Sequence, residues 1–558
     1  MTNKPLSEYP RPQLVRESYL SLNGFWDYKI TKNPEIPMDF DGKILVPYSP
    51  ETELSGVNHI LQPDEFLFYR LVFSLKDFKV KDKVILHFLA VDQIAEVYLN
   101  GQLLGKHVGG FLPFCFEIKK FLNDENELIV KVQDLTDTSY HSRGKQRLKH
   151  GGIWYTPQSG IYFPVFIESV SDDYVQDLKI TPDIDNQEII LKVISDVPKA
   201  DVEIFDRTIQ VNTNEEVHIK VDKMRLWSPE DPYLYGFKVK TKGDCVSSYF
   251  AMRKFSLVED ESAIKRLALN NKPYFMKGVL DQGYYKDGLL TPASYEAYVK
   301  DIELVKSLGF NMIRKHIKIE IPRWYYECDK RGIIVWQDFV NGGEQYKIST
   351  IVFPLIFGLH HKDNNYKKFA RVDENGRAES LQEFKDTINY LYNVPSIGLW
   401  TIFNEGWGQF DSEKVYNELV KIDKSRLYDH ASGWHDQGIS DVKSYHVYFK
   451  PFKIKSPGNP GKRAIVLSEF GGFVLPVDGH MMNGNHVYKS FDSKEKWLQK
   501  YEATIKRDVI ENIPKGLSAI VYTQLSDVEE ELNGFVTFDR EVIKVDPKLI
   551  KQINDKIK

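Results

Sequence analysis

The stretch Ser396-Ile397-Gly398-Leu399-Trp400-Thr401-Ile402-Phe403-Asn404-Glu405-Gly406-Trp407-Gly408-Gln409 constrains this chain more than any other. Its apolar run does not alternate with polar residues. A strand of that kind is covered on both faces, as in a parallel sheet wrapped by helices. The run stops at Asn404-Glu405 and breaks into glycines around Trp407. The carboxyl end of such a strand is where a barrel delivers working side chains. A second copy of the pattern, Ala464-Ile465-Val466-Leu467-Ser468-Glu469-Phe470-Gly471-Gly472, lies downstream. One strand-end glutamate is ordinarily a solvated loop residue or a helix cap. Two, each set among aromatics and glycines, suit a reaction that uses one carboxyl as acid/base and the other as nucleophile.

The surrounding pattern extends this reading. From about residue 259 the chain repeats strand, loop and helix. Strands are expected at 275–279, 312–314, 333–336, 397–403, 427–431, 444–447, 465–468 and 519–523, with helices at 294–308 and 413–424. Eight strands over ~300 residues fit a (β/α)8 TIM barrel. The connection at 341–380 is long enough to suggest a part in substrate selection. Residues 1–168 alternate as short strands between Asn-Gly and Gly-Gly turns, and 169–258 read as a small β-sandwich of immunoglobulin-like length. The expected architecture is therefore multidomain: a β jelly roll at 1–168, a sandwich at 169–258 and a catalytic barrel at 259–558.

Composition mainly excludes. The net charge of −5, with no basic stripe, argues against nucleic acid and acidic membrane surfaces as partners. No apolar run reaches membrane-spanning length. The first eight residues lack the apolar core of a signal peptide, so a cytoplasmic location is expected. Cys115, Cys245 and Cys328 are odd in number and widely spaced, without disulfide or zinc spacing. Aromatic residues make up 13%, which suits stacking against the apolar face of a sugar ring.

Several segments, in order along the chain, resemble glycoside hydrolase family 2, which contains β-galactosidases, β-glucuronidases and β-mannosidases. Leu22-Asn23-Gly24-Phe25-Trp26, Val46-Pro47-Tyr48-Ser49-Pro50-Glu51 and Gly109-Gly110-Phe111-Leu112-Pro113-Phe114 resemble its sugar-binding jelly roll. Ser159-Gly160-Ile161-Tyr162-Phe163-Pro164-Val165 resembles the exit strand of that domain. Asn270-Asn271-Lys272-Pro273-Tyr274-Phe275 followed by Lys277-Gly278-Val279 resembles the entry to its barrel. Asn404-Glu405 is the most specific motif.

The resemblance implies roles. Glu405 matches the general acid/base and Glu469 the nucleophile. Asn404 matches the residue that binds the sugar 2-hydroxyl, Tyr448 the tyrosine that holds the nucleophile, and His316 a histidine lining the −1 subsite. Arg314, two residues earlier, has the fork to orient carboxylates from below. Asp281, after the first strand, is expected to accept sugar hydroxyls, although family members carry an Arg-His pair there. His446 and Trp434 are expected to wall the pocket. Asp338 and Asn341, after the third strand, and Thr523-Gln524, after the eighth, are further candidates. Trp154 and Tyr155 occupy a first-domain loop where galactose-specific members carry an acid. The Asn-x-Lys motif that binds uronic acids is missing after the eighth strand. These readings imply a retaining exo-β-glycosidase, β-galactosidase-like, acting on an oligosaccharide or glycoside without cofactor or obligatory metal; homo-oligomerisation stays open. The alternatives are β-glucuronidase or arabinopyranosidase activity on the same fold, or a carbohydrate-binding relative that has lost catalysis.

Overall fold

The computed structural model describes residues 4–454, 462–482 and 488–558. Residues 1–3, part of the N-terminal segment read above for a signal peptide, lie outside them. The chain begins with two facing antiparallel sheets. One has four strands, in the order Leu20–Ser21, Val165–Val170, Lys83–Phe88 and Phe114–Glu117. The other has six: Gly42–Val46, Gly24–Thr31, Phe66–Phe73, Asn126–Gln133, Ile94–Leu99 and Gln102–Val108. Alternating side chains such as Val97, Leu99, Val130 and Leu86 meet between the sheets as one core. Asn100-Gly101 turns the last hairpin with φ of 51° and 77°, the left-handed pair that a two-residue hairpin loop needs.

A second sandwich follows, with strands from Asp177–Asp183 to Cys245–Phe250 in sheets of three and four strands around a separate core. A short three-stranded sheet, from Phe255–Glu259 to Lys272–Pro273, then packs Phe255, Leu267 and Leu269 against Met276, Met312, Ile334 and Val466 at the start of the barrel strands.

The barrel strands are, in chain order, Met276–Asp281, Met312–Lys315, Ile334–Asp338, Ile397–Thr401, Leu427–Asp429, Val442–Val447, Ala464–Gly471 and Leu517–Thr523. All neighbours pair in parallel, and the hydrogen-bonded ring is open only between the fifth and sixth strands. Side chains bridge that opening: Ser444 Oγ donates to Asp429 Oδ1 at 3.1 Å. Every expected strand segment overlaps an observed strand, and the helices Tyr295–Ser307 and Ser412–Ile422 lie where helical patterning was expected. The long connection forms two short helices, Ile348–Ile351 and Phe353–Phe357, before the helix Glu374–Leu391. No helix among the described residues is long and apolar enough to cross a membrane.

Candidate active site

Strand periodicity sorts the barrel residues between the lumen and the helices. Met312, Ile334, Trp336, Leu399, Val442, Val466 and Val521 form the apolar floor of the lumen. Two residues further along the same faces the lumen turns polar, with Arg314, Asp338, Ser444 and Thr523. Asp281 has the opposite parity. It follows the inward Leu280 and shares the outer face of its strand with Val279. Its carboxylate accepts from Lys315 Nζ at 2.6 Å and from the Gly283 amide at 2.8 Å. Asp281 therefore belongs to a buried charge cluster between strands and helices. The expectation that it lines the sugar pocket is corrected by its strand parity.

Glu469 reaches the lumen by a local irregularity. Tyr445 pairs with Leu467 but His446 pairs with Glu469, and on the other side Leu467 pairs with Ile520 while Phe470 pairs with Tyr522. The extra residue is a bulge. It turns Ser468 and Glu469 inward together, the re-aiming that bulges provide beside functional sites. Glu405 is reached differently. Its φ is 50° and Gly406 follows at 75°. A Cβ on Gly406 would lie 2.6 Å from the His435 ring. A glutamate held in the left-handed region is strained, a feature concentrated at functional sites. The backbone carbonyl of Glu405 accepts from Trp434 Nε1 at 3.0 Å, so the indole N–H of Trp434 pins this turn while its ring packs 5.5 Å from His446.

Arg314 ties these pieces together. Its five N–H groups make five hydrogen bonds. Nε and Nη2 donate to the Asp338 carboxylate at 3.0 and 2.9 Å, Nη2 to Asn404 Oδ1 at 2.7 Å, and Nη1 to Glu469 Oε1 at 3.0 Å and Ser468 O at 3.1 Å. With Oδ1 taken, the Asn404 amide is fixed, and its Nδ2, buried and without a partner, is left as a donor for a ligand. His316 Nδ1 sits 2.8 Å from Asp338 Oδ2. Burial drives the His316 pKa down to about 4, so the ring is neutral, donates from Nδ1 to Asp338 and keeps Nε2 as an acceptor.

The pKa values of the two glutamates are moved in opposite directions. Burial raises Glu405 above the ordinary glutamate range, and the charge of Glu469 adds to this while the neighbouring His446 opposes it. Burial acts the same way on Glu469, but the neighbouring His446 and Arg314, with the Tyr448 hydroxyl, outweigh it and bring Glu469 below the ordinary range. Tyr448 Oη donates to Glu469 Oε2 and lies 3.2 Å from Thr523 Oγ1. His446 Nδ1 stands between the pair, 2.7 Å from Glu405 Oε1 and 3.5 Å from Glu469 Oε2. Its other nitrogen meets Ser432 Oγ at 3.0 Å, and Ser432 donates onward to Ser468 Oγ at 2.9 Å. That chain directs the imidazole proton to Nε2 in the neutral ring and leaves Nδ1 to accept the proton of Glu405. One carboxylate oxygen of each glutamate and a ring nitrogen of His446 lie within 4.8 Å of one another. This trio is one of two sets of side chains among the described residues with cation-binding geometry; His480, Asp539 and Glu541 form the other, outside the lumen.

The first domain contributes to the site. Trp154 belongs to the barrel's core cluster, with its ring centroid 5.1 Å from Trp407 and 5.7 Å from Tyr346 of the long connection. Its loop seats on the acidic run after the eighth strand: Gly152 N donates to Glu530 Oε2 at 2.8 Å, Thr156 N to Glu529 Oε1 at 2.9 Å, and Tyr155 Oη to Glu531 Oε2. Asn341 Nδ2 donates to Tyr346 Oη at 2.6 Å and so braces the same corner. Sequence reasoning missed Lys145, Trp407, Tyr488, Ser432 and Glu531. Tyr488 packs 5.1 Å from Tyr448. Only Glu531, in an acidic triplet just past a barrel strand, carried a local signal.

Comparisons with known proteins agree with this architecture. Family models described as glycosyl hydrolases family 2, TIM barrel domain, as the galactose-binding domain-like region and as glycosyl hydrolases family 2 match residues 261–556, 43–159 and 173–253. A β-galactosidase of Thermoanaerobacter pseudethanolicus is 24% identical over 83% of this chain and 62% of its own length. A putative β-glucuronidase of Formosa agariphila is 26% identical over 57% of this chain and 37% of its own. This chain thus spans about two thirds or less of these relatives. The solved β-D-glucuronidase of Dictyoglomus thermophilum superimposes with a TM-score of 0.75 at 18% identity over 99% of both chains. A family 2 β-galacturonidase of Eisenbergiella tayi gives 0.73 at 18% identity, also over 99% of both. At that identity the likeness concerns the fold. With its barrel, both sandwiches and strand-end glutamates in place, the chain belongs to glycoside hydrolase family 2.

Proposed function

We propose that this protein is a retaining exo-β-glycosidase with β-galactosidase-like activity. The observation that carries the reading is the Glu405–Glu469 pair, its oxygens within 4.8 Å and its two pKa values moved in opposite directions. Retaining enzymes hold their carboxyls at about 5–5.5 Å, whereas inverting enzymes leave ~6.5–9.5 Å for a water molecule. Glu469, ionised, attacks the anomeric carbon. The glycosidic bond breaks as Glu405 passes its proton to the departing oxygen. Glu405, now a base, takes a proton from water, and the water oxygen displaces Glu469 to release the sugar with its original configuration. Asn404 Nδ2 and His316 Nε2 are placed to hold sugar hydroxyls through both steps.

The test is the anomer released first. Proton NMR during hydrolysis of a nitrophenyl β-galactoside is expected to detect the β-anomer before mutarotation. First appearance of the α-anomer would remove the retaining mechanism.

A further inference from the structure

Two fixed cations act on the glutamate pair, Arg314 and Lys145. All five Arg314 donors are taken. Lys145 comes from the first-domain loop and is equally committed. Its Nζ lies 3.2 Å from Tyr155 Oη and 3.6 Å from Glu531 Oε2, with both charged side chains under a tenth exposed. The ammonium also sits over the Tyr155 and Trp407 rings, 4.8 and 5.7 Å from their centroids. Trp407 is two residues from Glu405 and 6.0 Å from His316. Its Nε1 is buried without a partner. Lys145 and Trp407 connect the ion pair to the mouth of the barrel, since the Trp407 ring packs on His316, which shares Asp338 with Arg314.

We propose that Lys145, Glu531 and Trp407 are specificity-determining residues of this pocket, and that together they select a neutral pyranoside and reject its uronic acid counterpart. The proposal rests on the glycosidase reading above. A carboxylate on the sugar would meet Lys145 and Arg314 already engaged by anionic partners, and it would face Glu531 and Glu469. Like charges brought together at a desolvated site are costly. A hydroxymethyl group or a ring hydroxyl instead donates to Glu531 and accepts from Trp407 Nε1 or Lys145. Two donors left free on the strand-end turn that carries Glu405, Asn404 Nδ2 and Trp407 Nε1, are neutral and suit recognition of hydroxyls. The Lys145–Glu531 pair itself is net neutral, so its polarity orients hydroxyls without attracting an ion.

The experiment pairs each nitrophenyl β-pyranoside with the substrate oxidised at C6. The wild-type enzyme is expected to favour the neutral member by roughly tenfold or more in kcat/KM, about the effect of one unfavourable charge contact. Glu531→Gln frees Lys145 and is expected to raise the uronide-to-neutral ratio roughly tenfold. Lys145→Gln leaves Glu531 unbalanced and is expected to lower the ratio further. Calorimetric binding of galactose and galacturonate to the wild-type protein gives the same ordering without turnover and without a variant that must fold. Preference for the uronide, tighter galacturonate binding, or ratios unchanged within about twofold in both variants would overturn the proposal. Loss of turnover on every aryl glycoside would overturn the glycosidase reading instead, and the binding order would still decide this inference.

Discussion

At the scale of single residues, the two glutamates are chemically identical and are told apart by what surrounds them. Glu469→Gln is expected to abolish turnover on every substrate, because no nucleophile remains. Glu405→Gln keeps the first step on an activated aryl glycoside and loses base assistance in the second, worth roughly 10²–10⁴-fold. Its signature is a burst of aryl alcohol followed by slow turnover. Azide, which needs no base, then yields a β-glycosyl azide from the Glu405 variant and an α-azide from the Glu469 variant; the reverse stereochemistry would exchange the two roles. Ser432 acts one bond further out, since it accepts the His446 Nε2 proton. In Ser432→Ala that proton is free to move to Nδ1 and donate to the Glu405 carboxylate. The charged form is then stabilised and the Glu405 pKa falls. The alkaline limb of the kcat/KM–pH profile should move to lower pH, measured with a leaving group that needs protonation. An unchanged limb would mean that the serine chain does not set the tautomer.

At the scale of elements, the position of a carboxyl depends on strand parity, and parity is what the sequence hides. Each barrel strand is apolar on both faces, so its residues carry no mark of which side meets the lumen. Strand positions were legible from the apolar runs and the glycines that end them, and Asn404-Glu405 and Ser468-Glu469 were legible as strand ends. The outward turn of Asp281 was not, because Val279 and Leu280 are equally apolar. Nor was the bulge at Ser468, which needs the registers of both neighbouring strands. Lys145 and Glu531 lie nearly four hundred residues apart and meet only because two domains dock. The bulge makes a sharp prediction. Deleting Ser468 restores period two and sets Glu469 in the inward place of the serine, one step back along the strand from where Arg314 and Tyr448 hold it. Turnover should be lost while far-ultraviolet circular dichroism still reports a folded barrel. Retained activity would mean that the bulge migrates and does not aim the nucleophile.

At the scale of the whole molecule, buried acids lie within the first sandwich and at its contact with the barrel. Asp92 accepts from Gln146 Nε2 at 3.1 Å and Asp134 from Ser159 Oγ at 2.9 Å, while Glu383, on the helix after the third barrel strand, accepts from Ser142 Oγ. Burial raises Glu51 from 4.5 to about 8, Glu383 from 4.5 to about 7 and Asp134 from 3.8 to about 6. An acid that holds its proton more tightly when folded stabilises the fold fully below its unfolded pKa. That contribution is lost as pH rises through the folded pKa. The lowered group, Glu469 and Asp338 among it, works the other way and fails only as pH drops below the carboxylate range. Melting temperature is therefore expected to fall between about pH 5 and about pH 9, and Glu51→Gln to flatten the slope. A slope unchanged by that substitution would exclude Glu51 as a contributor. The docked loop also sets an order of events in synthesis. Residues 141–155 leave the ribosome long before the acidic triplet at 529–531 that receives them. Until then Lys145 has no carboxylate, although Tyr346 and Trp407, the ring partners of Trp154, have already been made. The docked loop thus arrives late, as a report that residues 141–155 and the triplet at 529–531 have found each other.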